Sequence, residues 1–158
     1  MICVPVTGPN MAQAFEDIKK ARAVADLIEL RLDLIEQFQL KPLITAAGQD
    51  TIVTYRPVRQ GGKSELPDAD RIKVLREALA LGVKFIDVEW DAISLINKNE
   101  LSKVIISRHF FDEFPANLTT IISEMNQHPA AITKVAVKIL DISQNAILFK
   151  ELQNKKKP

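Results

Sequence analysis

Polar and charged residues of matching parity punctuate the apolar runs of this chain, and their types suit catalysis. Glu29 and Arg31 lie two apart in DLIELRLD, Thr54 and Arg56 in TIVTYR, Asp87 and Glu89 in KFIDVEW, and Ser107 and His109 in KVIISRH. Lys134 and Lys138 share one parity in ITKVAVK. Residues i and i+2 of a strand point to the same side, so each run acquires one polar face. An unpaired charge in a buried place costs several kcal/mol or neutralises. Charged faces on several strands therefore suggest a shared active site.

Each group implies a chemistry. A lysine on an apolar strand loses hydration, which favours the neutral amine and makes it a nucleophile toward ketones. Spacing does not choose between Lys134 and Lys138. His109 closes its strand and suits proton transfer, its ordinary pKa being about 6.5. Arg31 and Arg56 offer fixed forks for carboxylates or hydroxyls, with pairing to Glu29 and Glu89 as the structural alternative. Asp87 and Glu89 resemble a metal-binding pair, but no further ligand spacing supports one, and no metal or cofactor is expected. Gly61-Gly62, after Gln60, reads as a mobile loop able to cover a ligand. His128, in NQHPA, reads as loop.

The elements that must position these groups alternate in kind. Apolar, β-branched runs near 2–6, 26–32, 51–56, 83–89, 103–109 and 132–138 read as strands. Helical spacing links Met11, Phe15, Ile18 and Ala21, then Ile72, Leu75 and Leu79 behind an N-cap candidate, Asp68, with Gly82 as the stop. It returns with Leu118, Ile121, Ile122 and Met125, and with Ile142, Ala146, Phe149 and Leu152. Six β-then-α units predict a parallel sheet covered by helices. The polar strand faces favour a (β/α)8 TIM-barrel type over an open doubly wound sheet, whose central strands are apolar on both sides. VTGPNM also lacks the glycine fingerprint of a dinucleotide fold. The expectation is one barrel domain over residues 1–158, incomplete, with six units visible and the C-terminal ones missing. Six strands would leave the first and last with bare edges.

Composition is that of an ordinary globular protein, with 47% hydrophobic and 26% charged residues in 158. A net charge of +1 offers nothing to nucleic acid or an anionic membrane. The lone cysteine, Cys3, reads as a small buried hydrophobe and fits a reducing compartment. No signal peptide or membrane span is evident, so a cytoplasmic location is expected. Lys155-Lys156-Lys157 reads as a solvated terminus.

At these residues the chain resembles type I 3-dehydroquinate dehydratase, the Schiff-base enzyme of the shikimate pathway. The shared segments run in order: ICVPV, ELRLD at 29–33, TYR at 54–56, GG at 61–62, DVE at 87–89, SRHFF at 107–111 and KVA at 134–136. The resemblance implies an eight-unit barrel acting on 3-dehydroquinate. It selects Lys134 for the imine and His109 as the acid/base, with Glu29, Arg31 and Arg56 contacting substrate and Glu89 in support. Gln60 stands where the family has a glutamate that helps position the histidine. No arginine follows Arg108, whereas the family carries a substrate-binding one in its last units. The resemblance therefore leaves room for an inactive barrel fragment, a homodimer, or the front of a fusion to shikimate dehydrogenase.

Overall fold

The computed structural model describes residues 1–153, so the lysine-rich tail lies outside the described residues. The chain divides into two compact units, residues 1–88 and 89–158. The alternation predicted above is present, with six strands interleaved with helices.

The first unit contains β1 (Cys3–Val6), α1 (Met11–Ala21), β2 (Leu27–Arg31), α2 (Leu40–Ala47), β3 (Thr51–Thr54), α3 (Asp68–Ala80) and β4 (Phe85–Glu89), whose last residue opens the second unit. β1 pairs with β2, β2 with β3, and β3 with β4, all parallel. Leu30, Val53, Ile86 and Val88 are fully buried, and α1 covers the sheet with Ala14, Ile18 and Ala21. Asn10 caps α1 by accepting from the Gln13 amide at 3.0 Å, satisfying one of the donors orphaned at a helix start.

Several expectations change here. α2 has no counterpart in the periodicity reading, because its eight residues carry too short a stripe to stand out. Cys3 is exposed: its register partner Leu27 puts it on the sheet face that carries Glu29 and Arg31, while Val6, on the other face, is buried. Phe15 is also partly exposed, at 37%, while Ala14 is fully buried. Asp68 does not cap α3. Pro67 holds that position, and Asp68 turns instead to Arg59 and Arg71. Gly82 does end the helix, at φ 91°, a left-handed value that suits glycine.

The second unit holds β5 (Val104–Phe110), α4 (Leu118–Gln127), β6 (Ile132–Val137) and α5 (Ser143–Gln153). β5 and β6 are parallel over six residue pairs, from Ile105↔Ile132 to Phe110↔Val137. The connection before β5 is made of 3-10 turns at Trp90–Leu95 and Leu101–Lys103 rather than an α-helix, so the fourth unit departs from strict alternation. α4 buries Leu118, Ile121 and Met125. α5 buries nothing: its predicted stripe is exposed, with Ile142 at 84%, Phe149 at 64% and Leu152 at 60%. The helix has the right apolar spacing, but among the described residues nothing covers that face.

α3 carries one charge network under the sheet. Fully buried Arg71 donates to the Tyr55 carbonyl and to Asp68, each at 2.6 Å, and Arg59 grips Asp68 from outside at 2.8 and 3.0 Å. Partial burial pushes the Asp68 pKa up, but the hydrogen bonds from Arg71 and Arg59 outweigh it and hold the group below its ordinary range. A folded-state pKa below the unfolded one stabilises at neutral pH, and the contribution fades as pH falls through that lowered value. Asp68→Asn should cost on the order of 2 kcal/mol near pH 7. In urea titrations at decreasing pH, the gap to wild type should close in acid.

Candidate active site

Within the first unit the charged groups gather at the C-terminal ends of β2, β3 and β4. Glu29, half-buried, accepts from the fully buried Thr54 hydroxyl at 2.6 Å across the β2–β3 ladder. Arg31 meets Asp33 edge-on: Nε donates to Oδ1 at 3.0 Å and Nη2 to Oδ2 at 2.8 Å. The hydrogen bond to Asp33 is the main reason the Arg31 pKa is raised further, with burial opposing it. Arg56 follows β3 and ion-pairs with Asp87 at 2.9 Å, the side chains being 3% and 0% exposed. Arg31 and Arg56 thus pair with Asp33 and Asp87, two contacts that spacing did not anticipate. Register explains the second case, because Thr54 lies opposite Asp87 and sets the strand end beside it.

The Gly61-Gly62 loop is tied down rather than open. Its ends meet in a parallel bridge, Pro57↔Ser64, with Ser64 N donating to the Arg56 carbonyl at 3.1 Å and Val58 N to the Ser64 carbonyl at 3.1 Å. A Cβ on Gly62 would fall 2.1 Å from the Arg56 carbonyl oxygen. The glycine serves close backbone approach, not hinging. Gln60, half-buried, ends the single 3-10 turn of this loop.

In the second unit, Ser107 lies directly across from Lys134, and His109 across from Ala136. Ser107, His109 and Lys134 therefore share one face, with Lys134 the diagonal neighbour of His109. Ser107 is buried, while the other two are half-exposed. The His109 ring stacks on Phe111 at 5.9 Å and 9°. Lys138 lies beyond β6 and is exposed, its backbone N–H donating to the Phe110 carbonyl at 2.9 Å. Of the two lysines that parity left open, only Lys134 lies within the strand. Glu89 is fully buried at the end of β4. His128 stands edge-on to Trp90 at 5.6 Å.

Asp33 is the functional candidate that the spacing argument passed over. It stands two residues beyond Arg31, so the same i, i+2 rule would have found it had β2 been read as running on.

Such polar groups at the C-terminal ends of parallel strands define the (β/α)-barrel class of site. The fold agrees. Type I 3-dehydroquinate dehydratase from Clostridium difficile aligns with a TM-score of 0.80 over 99% of this chain and 71% of its own, at 23% identity. The type I 3-dehydroquinase family matches residues 2–158, and the chain belongs to it. The bifunctional 3-dehydroquinate dehydratase/shikimate dehydrogenase of Arabidopsis thaliana is 33% identical over 94% of this chain. The 3-dehydroquinate dehydratase of Methanococcus maripaludis is 30% identical over 73% of it. This chain spans 27% of the first and 56% of the second.

The buried ion pair gives a direct test. Arg56→Met should destabilise by about 3–5 kcal/mol, because it strips the buried Asp87 of its guanidinium. Adding Asp87→Leu should recover most of that loss, and urea denaturation of both single variants and the double would read the coupling.

Proposed function

We propose that this chain carries the imine-forming and proton-transferring half of a Schiff-base 3-dehydroquinate dehydratase. The observation that carries this reading is the pairing of β5 and β6, which sets Lys134 and His109 as neighbours on one face. Family membership supplies the substrate.

The Lys134 amine attacks the C3 ketone of 3-dehydroquinate and, with loss of water, forms an imine. Protonated, that imine withdraws electrons and acidifies the C2 proton. His109 takes this proton and returns it to the departing C1 hydroxyl, which leaves as water. Hydrolysis of the imine frees 3-dehydroshikimate and restores the amine. Glu29 and Arg31 contact substrate hydroxyls and carboxylate. Arg31 suits this because its Nη1 edge has no hydrogen-bond partner among the described residues. Arg56, locked to Asp87, contributes positive charge near substrate. Gln60 and Glu89 act in support of these groups. No cofactor enters this scheme.

Residues 1–158 are read as part of one barrel domain, supported by a structural match over 99% of the chain. A cytoplasmic location is proposed on the single cysteine. The Arabidopsis relative, by its name, joins the same activity to a shikimate dehydrogenase. A similar fusion or a homodimer would suit this chain.

Borohydride reduction in the presence of 3-dehydroquinate, followed by peptide mass spectrometry, tests the reading. An adduct is expected on Lys134 and not on Lys138, and Lys134→Met should abolish it. His109→Ala should retain the adduct while turnover falls by about 10²–10⁴-fold. Absence of any adduct at Lys134 would refute the mechanism.

A further inference from the structure

We infer that Asp33 is a positioning residue that aims the Arg31 guanidinium and locks it to the Gly61-Gly62 loop, without touching substrate itself. Its side chain is 0% exposed, and both oxygens are fully engaged. Oδ1 accepts from Arg31 Nε at 3.0 Å and from the Arg56 backbone N–H at 3.3 Å. Oδ2 accepts from Arg31 Nη2 at 2.8 Å and from the Lys63 backbone N–H at 3.2 Å. An ionised carboxylate offers about four acceptor sites. All are used, so Asp33 has none left for a ligand.

What the arrangement does follows from the shape of its partner. A guanidinium is a rigid planar fork, so holding its Nε/Nη2 edge fixes the direction of the Nη1 edge. The Arg31 side chain is 22% exposed, and Nη1 has no hydrogen-bond partner among the described residues. Its back is anchored and its front presents two donors to an oxygen-rich ligand. The two backbone donors add a second constraint. They flank the loop, one at the end of β3 and one past Gly62, so a single carboxylate sets the cation and the loop in one frame. Displacing such a group by about 1 Å is enough to lose much of its contribution to binding or rate.

The inference rests on the proposed role of Arg31, and the experiment separates the two. Asp33→Asn keeps the size but turns one oxygen into a donor that opposes either Arg31 Nε and the Arg56 N–H or Arg31 Nη2 and the Lys63 N–H. In borohydride trapping, the 3-dehydroquinate concentration giving half-maximal Lys134 labelling should rise roughly tenfold or more, with maximal labelling retained. Arg31→Met alone should raise it similarly, and Asp33→Asn should add little on that background. Amide exchange at Arg56 and Lys63 should quicken in Asp33→Asn. An unchanged half-saturation in folded Asp33→Asn, with Arg31→Met still impaired, would overturn the inference and spare the role of Arg31. Full effects in both single variants that simply multiply in the double would also overturn it, by showing that Asp33 does not act through Arg31. If wild type forms no adduct, the catalytic reading falls. The Arg31 Nε–H resonance and the two amides then decide: their loss of protection in Asp33→Asn supports the clamp, and unchanged protection refutes it.

Discussion

The carboxylate of Asp33 is removed from water, and a buried negative charge persists only where donors replace its hydration. Three pieces of chain meet that demand: the Arg31 side chain and the backbones of Arg56 and Lys63. Satisfying one ion thereby sets the end of β2, the exit from β3 and the far side of the Gly61-Gly62 loop relative to one another. The bridge between Pro57 and Ser64 and the missing side chain of Gly62 let the loop close over the Arg56 carbonyl. Each of these features requires the others. A side chain at 62 would push the backbone away from the position at which Lys63 reaches Asp33.

The same unit contains two more charge arrangements, fully enclosed Arg56 with Asp87, and buried Arg71 with the partly exposed Asp68 and the Tyr55 carbonyl. Buried ion pairs rarely stabilise a protein better than well-packed apolar groups of similar size would. Their concentration in a small unit is therefore poor evidence of selection for stability. They are better understood as fixing geometry. Arg71 and Asp68 brace the chain from α3, while Arg56 and Asp87 set charge at the strand ends where barrel enzymes do their chemistry. Removing one member of either pair takes away a charge that its partner was placed to meet, so the groups constrain one another more than they add to total stability.

The second unit is built differently. Its polar face is short and half-open, made by a single parallel pair, and its helix α5 turns Ile142, Phe149 and Leu152 outward. Here the precision comes from register alone. Moving β6 by one residue would turn Lys134 to the opposite face and away from Ser107 and His109.

How much of this was legible in the residues follows from the range of each interaction. The alternation of strands and helices, the polar strand faces and the stop at Gly82 depend on neighbours within a few positions, and the one-dimensional pattern carried them. The family motifs singled out Lys134 and His109, and the β5–β6 register puts the two on one face. Partner choice is another matter. Arg31 met Asp33, Arg56 met Asp87, and Asp68 left its capping position for Arg71, since strand register and helix placement bring together groups far apart along the chain. Exposure was equally hidden: Cys3 and the α5 stripe have core-like spacing but are open, because burial requires a second surface that no local pattern supplies. The sequence by itself determined which groups could share a face. Only the tertiary structure decided which of them touch, because Coulombic and hydrogen-bonded contacts act over a few ångströms of space regardless of separation in the chain.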